Sequence, residues 1–170
     1  IPLFSYSGKD PDILSVIKYI KSRNANDIDL ARWRMLSCKS GSYRRRVIFP
    51  SFDKNGDLNY YVARTIDSTV NPKYRNAKGK KNNIIFNEID IDWTKPVILV
   101  EGIFDAIKSP ENTIPILGSS ISQNSELYRK LASNLCTVYL SLDPDMKEKA
   151  FSIAQRLCRA GCEVYMSFAP

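Results

Sequence analysis

The spacing of hydrophobic residues changes character along the chain. At the start it is helical: Ile13, Val16, Ile17 and Ile20 fall on one side of a helix reaching about Arg23, with Asp10 as N-cap and Pro11 in the first helical position. A short second helix is predicted from Asp27 to about Met35, capped by Asn26 or Asp27. The pattern then becomes strand-like. VIFPSF (47–52) and LNYYVART (58–65) flank Asp53-Lys54-Asn55-Gly56, whose turn chemistry predicts a β-hairpin. Residues 67–83 read as a basic loop, Ile84–Phe86 as a marginal strand, and the chain through Trp93 as another loop.

After Thr94-Lys95-Pro96 strands and helices alternate. VILVE (97–101) leads into a helix at 103–109, and IPIL (114–117) leads through GSSIS into a helix at 124–134. CTVYLSL (136–142) leads into a helix at 146–160, and after Gly161 comes the strand EVYMSF (163–168). Such β-α-β-α-β-α-β alternation predicts an α/β fold, a parallel sheet with helices on both faces, preceded by a smaller mixed α/β subdomain. The seam is expected near residue 95, dividing 1–95 from 96–170. In a sheet of this kind ligands collect at the carboxyl ends of the strands.

The chain has 170 residues, 44% hydrophobic and 25% charged, enough for one ordinary domain or two small joined ones. Its longest apolar runs are four or five residues, against the ~20 that a membrane span needs, so no membrane partner is expected. The first helix is amphipathic and charged, unlike a signal peptide, and Ile1 in place of a methionine points to a piece of a longer protein. Cys38, Cys136, Cys158 and Cys162 form no C-x-x-C pair and the chain has no histidine, so no zinc site is expected within it. Free thiols without a leader fit a reducing, cytoplasmic setting. Without histidine the commonest general base is missing. Chemistry must then run on carboxylates, metals, lysines and arginines.

The net charge of +7 is unevenly placed. No acidic residue falls between Ser68 and Asn87, while Lys73, Arg75, Lys78, Lys80 and Lys81 crowd together, and Arg44, Arg45 and Arg46 form a second block. A run of charge is often just a solvated loop. Two basic clusters bracketing one hairpin on a basic chain favour a polyanion, most simply a nucleic acid.

Opposite charge gathers elsewhere. The first strand of the wound region ends on Glu101 and the third on Asp143-Pro144-Asp145, so a parallel sheet brings all three carboxylates to one edge. Pro144 keeps Asp143 out of the helical region. Three clustered carboxylates repel one another unless a cation neutralises them, and oxygen-only ligands suit Mg²⁺ or Mn²⁺. The plainer alternative makes Asp143 and Asp145 the cap and first turn of the next helix, with Glu101 ending its strand harmlessly. The combination of the two motifs, rather than either alone, favours the metal.

EGIFDAI together with SLDPD resembles the Toprim signature, a glutamate after one strand and D-x-D after a later one, shared by primases, topoisomerases, some nucleases and recombination mediators. RRRVIFPSFDKNGDLNYYVART is similar to the arginine-led hydrophobic stretch and hairpin of bacterial and phage DNA primases, NPKYRNAKG to their P-K-Y-x-N segment, and ILGSSIS to their L-G-[ST] turn. The likeness spans about residues 30–168, and the D-P-D form is closer to phage primases than the usual D-G-D. The A-G that normally follows D-x-D is missing.

The resemblance implies a core that polymerises ribonucleotides on a single-stranded DNA template. In it Glu101, Asp143 and Asp145 are the catalytic metal-binding acids, and Asp105, Gly102 and Gly118 support them. Arg46, Lys73, Tyr74, Arg75, Asn76 and Lys78 contact template or nucleotide, and Tyr60 or Tyr61 could stack on bases. It also implies Mg²⁺ or Mn²⁺, nucleoside triphosphates as substrates, a zinc-binding module and a replicative helicase outside this stretch, and work in the cytoplasm (the host's if phage-encoded). The alternatives are a Toprim nuclease or topoisomerase fragment, and a nucleic-acid-binding module without catalysis.

Overall fold

A computed structural model of the chain describes residues 10–79, 81–118 and 121–168. Lys80 of the basic run, and Ser119 and Ser120 of the L-G-[ST] turn, lie outside them. The chain divides into two compact units, one built from residues up to Ser51 with Leu58–Gly79, the other from Phe52–Asp57 with the chain from Lys80 onward.

In the first unit, α1 (Pro11–Ser22) begins where expected: Asp10 accepts from the amides of Asp12 and Ile13 at 3.0 and 3.2 Å. Ile13, Val16 and Ile20 are its buried face. The second helix, α2 (Asp27–Arg32), is shorter than predicted. Asn26 caps it in a reciprocal box with Asp29, but Arg34 takes a left-handed φ of 47° and the helix stops. Beyond it Leu36 exchanges two 2.8 Å backbone hydrogen bonds with Ile48, so strand pairing ends the helix early.

β1 (Arg46–Phe52) and β2 (Leu58–Thr65) form the hairpin. Asp53 accepts from the amides of Asn55 and Asp57, and Gly56 supplies the φ of +87° that the turn requires. The basic segment after β2 is not a plain loop. Thr65 N–H donates to Lys73 O, Arg75 N–H to Ala63 O and Ala77 N–H to Tyr61 O, so residues 73–77 run as an extra strand along β2.

The second unit holds a four-stranded parallel sheet in the order β4-β3-β5-β6, built from β3 (Val97–Val100), β4 (Thr113–Pro115), β5 (Thr137–Leu142) and β6 (Glu163–Phe168). Pro115 is tolerated because β4 is an edge strand. The helices are α3 (Ile103–Lys108), α4 (Glu126–Ser133) and α5 (Lys147–Arg159). Val97, Leu99, Val138, Leu140 and Leu142 join Leu127 and Leu131 of α4 and Ile153 and Leu157 of α5 in one core. On the opposite face α3 packs over β3 and β4. On the β5–β6 half of that face Tyr139 and Tyr165 stack at 5.1 Å and remain exposed.

The predicted strand at 84–86 is not formed. Ile85 and Phe86 are buried without a ladder, and Ile85, Ile91 and Trp93 pack into the core of the second unit. Their hydrophobicity reflects burial rather than pairing. No helix among the described residues is long and apolar enough to cross a membrane.

Most of the first arginine block serves the fold. Arg45 donates to both oxygens of Asp67 (2.9 and 2.7 Å) and to Asp12 at 3.0 Å, and Arg44 also pairs with Asp12. These hydrogen bonds hold the carboxyls of Asp12 and Asp67 below their ordinary value of 3.8. A depressed folded-state value means the stabilisation is present above 3.8 and lost as pH falls through the lowered values. In thermal melts across acid pH, Asp12→Asn/Asp67→Asn should start below wild type near neutrality and lose less as pH drops below 3.8. An acid slope equal to wild type would show that these pairs do not couple to folding.

Candidate active site

The parallel register decides where the acids emerge. β3 pairs with β5 so that Val100 lies beside Ser141, and with β4 so that Val100 lies beside Pro115. Glu101 therefore leaves the sheet one residue past a paired position and Asp143 two residues past its own, at the same edge. Leu117 N–H donates to Glu101 O at 2.9 Å, which fixes the backbone of Glu101 against the end of β4. Leu117 and Gly118 both take left-handed φ values, 53° and 72°, so the chain turns sharply away there. A Cβ on Gly118 would meet nothing within 4 Å, so this glycine serves its backbone conformation and not a close approach.

Gly102 is the reverse case. Its φ of −119° suits any residue, but a Cβ would lie 2.8 Å from Oδ2 of Asp105. That oxygen accepts the Gly102 amide at 3.1 Å, so Asp105 reaches back to the start of α3 and the glycine leaves room for it. Asp105 thus sets the direction in which the chain leaves Glu101.

On the other side Asp143 is extended, with φ −59° and ψ 149°, as the following proline requires. Residues Pro144–Met146 form one 3₁₀ turn, closed by Met146 N–H donating to Asp143 O at 2.9 Å, and α5 follows. Neither this turn nor α5 receives a side-chain cap. The capping role open to Asp143 and Asp145 from sequence is not the one they take.

One carboxylate oxygen from each of Glu101, Asp143 and Asp145 lies within 4.8 Å of the other two. Glu101 is half-buried and the aspartates are exposed. None of the three makes a side-chain hydrogen bond or ion pair with a described residue. Burial, then the charges of Asp143 and Asp145, push the Glu101 carboxyl above its ordinary value, and Lys149 offsets part of this. Lys149 was not singled out from sequence. Its signal was there: it stands four residues after Asp145 on the first turn of α5, where Nζ donates to Gly118 O at 3.2 Å. The trio satisfies what a hard divalent cation needs, convergent oxygen donors with charge to be neutralised.

The basic set belongs to the first unit, and its members differ. Arg46 is only 4% exposed, and its guanidinium donates to Pro72 O (3.0 Å) and Lys73 O (3.3 Å). Asn76 accepts the Ala63 amide at 3.3 Å. Arg75 donates to Ser42 O and lies over the ring of Tyr43, while Tyr74 accepts a 2.8 Å hydrogen bond from Arg64. Lys73 and Lys78 are exposed and make no side-chain hydrogen bond or ion pair with a described residue. Tyr60 is core, and Tyr61 shares a 2.6 Å hydrogen bond with Tyr43.

No protein-family model matches the chain. A DNA primase of Clostridium acetobutylicum is 25% identical over 84% of this chain and 26% of its own length. The crystal structure of the Aquifex aeolicus primase (zinc-binding and RNA polymerase domains) aligns with a TM-score of 0.73 and 24% identity, covering 91% of this chain and 49% of that one. A DnaG primase catalytic domain bound to single-stranded DNA aligns with a TM-score of 0.74 and 17% identity, covering 95% and 68%. The chain thus spans about a quarter of the curated primase and half of the Aquifex chain. Its fold is that of the solved primase catalytic cores, and its sequence is similar to that of one DNA primase.

Proposed function

We propose that this chain is the catalytic core of a DNA primase, making short RNA primers on single-stranded DNA during replication by metal-dependent nucleotidyl transfer. The observation that carries the reading is the meeting of Glu101, Asp143 and Asp145, without a side-chain hydrogen bond or ion pair to a described residue, at the carboxyl edge of a parallel sheet. On this reading residues 96–170 are the Toprim metal-binding subdomain and residues 1–95 the primase N-terminal subdomain.

The donor set fits Mg²⁺ or Mn²⁺, and Glu101, Asp143 and Asp145 would hold the ion. Bound there, a divalent cation supplies Lewis-acid stabilisation of charge on the triphosphate as a 3′-hydroxyl attacks the α-phosphate and pyrophosphate leaves. The remaining work belongs to the chain. Glu101 is held by its backbone bond to Leu117 and by the start of α3. Asp143 and Asp145 are spaced by the stiff Pro144 turn. Lys149, tied to Gly118 O, puts a cation beside the acids where phosphate charge would arrive.

Lys73 and Lys78 contact template or nucleotide phosphates, and Tyr74 and Arg75 lie beside them on the same added strand. Arg46 and Asn76 hold that strand. The substrates are nucleoside triphosphates and the template is single-stranded DNA, the ligand of the DnaG domain that shares this fold. The further partners are a zinc-binding module and a replicative helicase, the setting is the cytoplasm, and Asp-Pro-Asp keeps a phage source as the preferred origin.

Wild type supplied with ribonucleotides, Mg²⁺ or Mn²⁺ and a single-stranded template should yield short labelled RNA. Asp143→Asn should lower the yield by roughly 10²–10³-fold or more, the scale on which one transition-state stabiliser counts. Nicked DNA would point to a Toprim nuclease instead, and binding without product to a non-catalytic module.

Glu101→Gln should have opposite effects on stability and metal binding. Removing a partly buried charge that faces two like charges should raise the metal-free melting temperature by about 2–4 °C, the shift ~1 kcal/mol gives in a chain of this size. Mn²⁺ affinity should fall by more than the roughly 10–100-fold cost of losing a supporting outer-shell partner. Calorimetric titration with Mn²⁺ and thermal melts in EDTA read the two effects. Unchanged Mn²⁺ affinity would remove the metal site.

A further inference from the structure

The loop between β4 and α4 is tied to its surroundings through its backbone. Ile116 N–H donates to Val100 O at 2.8 Å and Leu117 N–H to Glu101 O at 2.9 Å, so the loop starts against the exit of β3. One residue on, Gly118 O accepts from Lys149 Nζ at 3.2 Å, on the helix that follows Asp145. Ile121 O accepts from the Arg156 guanidinium at 2.7 Å, and Ser122 O from the amide and hydroxyl of Ser125 at 2.9 and 2.7 Å. The loop therefore links the two segments that carry the acids, β3 leading to Glu101 and α5 leading away from Asp145.

The sequence of α5 suits this task. Ala150, Ile153, Ala154 and Leu157 form its buried face. Lys149, Ser152 and Arg156, spaced by three and four residues, make a second stripe alongside. Arg156 stands in the last turn, where a cation favours the helix dipole without any further partner. Its guanidinium instead reaches back one turn to Ser152 Oγ at 2.6 Å and across to Ile121 O. Arg156 is half-buried and makes no ion pair with a described residue. An arginine partly withdrawn from water for one carbonyl and one hydroxyl is explained by the loop it holds, since a charged donor grips a carbonyl more strongly than a neutral one. Ile121 is itself only 2% exposed, so its side chain and its carbonyl are both fixed.

All three acids lie beyond the strand ends, where the ladder no longer holds them. There the connection runs through Leu117 and Gly118, both in the left-handed region at φ 53° and 72°. Gly118 adopts such a value freely, but Leu117 does not, and its conformation persists only while the chain is held on both sides. Upstream the hold is the end of β4. Downstream it is Lys149 at Gly118 and Arg156 at Ile121. With the far end released, Leu117 could relax to an ordinary φ and its amide would leave Glu101 O.

We infer that Arg156 is a positioning residue of the acid site: its hold on Ile121 O keeps Leu117 left-handed, and so keeps the Leu117 amide on Glu101. That the acids bind a metal rests on the proposed function, whereas the tie itself does not. Amide hydrogen exchange in EDTA reads the tie, and calorimetric titration with Mn²⁺ reads its effect on the acids. Both are measured for wild type, Arg156→Gln and Glu101→Gln.

In Arg156→Gln the Leu117 amide should exchange about tenfold faster, the scale of one lost charge-assisted hydrogen bond, while amides of the central strand β5 keep their wild-type rates. Mn²⁺ affinity should fall about tenfold, as when a supporting outer-shell partner is lost. A wild-type exchange rate at Leu117 overturns the inference. So does wild-type Mn²⁺ affinity in Arg156→Gln when Glu101→Gln has lost it. Wild-type affinity in both variants removes the metal site instead, and the exchange rate at Leu117 then decides on Arg156 alone. Should Arg156→Gln loosen β5 as well or fail to fold, Ser152→Ala takes its place, because it frees one arm of the guanidinium and leaves the arginine in position. Leu117 should then exchange about threefold faster, and an unchanged rate overturns the inference.

Discussion

The fold of the second unit depends on a parallel ladder whose register cannot slip. Val97, Leu99, Val138, Leu140 and Leu142 all face the core shared with α4 and α5. Sliding β5 by one residue would turn Tyr139 and Ser141 into that core and expose the leucines, because side chains alternate along a strand. The hydrophobic effect therefore fixes the register, and the register fixes the acids. Glu101 and Asp143 are 42 positions apart in the chain yet emerge together because Val100 must lie beside Ser141. The geometry of the acid cluster is a by-product of core packing, which is why three mutually repelling groups can be held together with no bond between them.

The same constraint explains what the sequence made legible. Apolar runs closed by acid or glycine were visible in VILVEG and VYLSLDPD, and the elements they predicted lie within a few residues of those observed. The acids themselves were readable because Glu101 has no place on a buried strand and because Pro144 forbids a helical Asp143. Strand order was not readable, since β4-β3-β5-β6 is set by which faces meet. The alternation in TVYLSL, set against the unbroken VILV, did signal that one face of β5 is open while β3 is covered on both sides. Ile85 and Phe86 misled because burial without a ladder gives the same hydrophobic run as a strand. Helix α2 ran short because the bridge between Leu36 and Ile48 outweighed local propensity.

The two kinds of charge are handled in opposite ways. In the first unit Asp12 and Asp67 are matched by Arg44 and Arg45, and the carboxyls are stabilised in their charged form. In the second unit Glu101, Asp143 and Asp145 have no such partners among the described residues, and Glu101 is destabilised in its charged form. Folding alone favours the first arrangement and opposes the second. An arrangement that costs stability, yet is built by the packing of a buried parallel sheet, is understandable where a ligand completes it.

That contrast also sorts the residues matched to family motifs. Matching a motif identifies a position without saying what its side chain does there. Arg46 and Asn76 fall within segments that resemble primases, yet their polar groups are directed at backbone, and changing either would loosen the strand at 73–77 before it touched any ligand. Arg44 and Arg45, conspicuous as a basic block, are occupied by carboxylates. Lys73 and Lys78 are different, because exposed lysines with no ion pair to a described residue contribute little to the fold and leave their charge to solvent. The first unit's positive charge left unmatched by the fold thus lies in fewer residues than its composition implies, mounted on a scaffold that the other basic residues maintain.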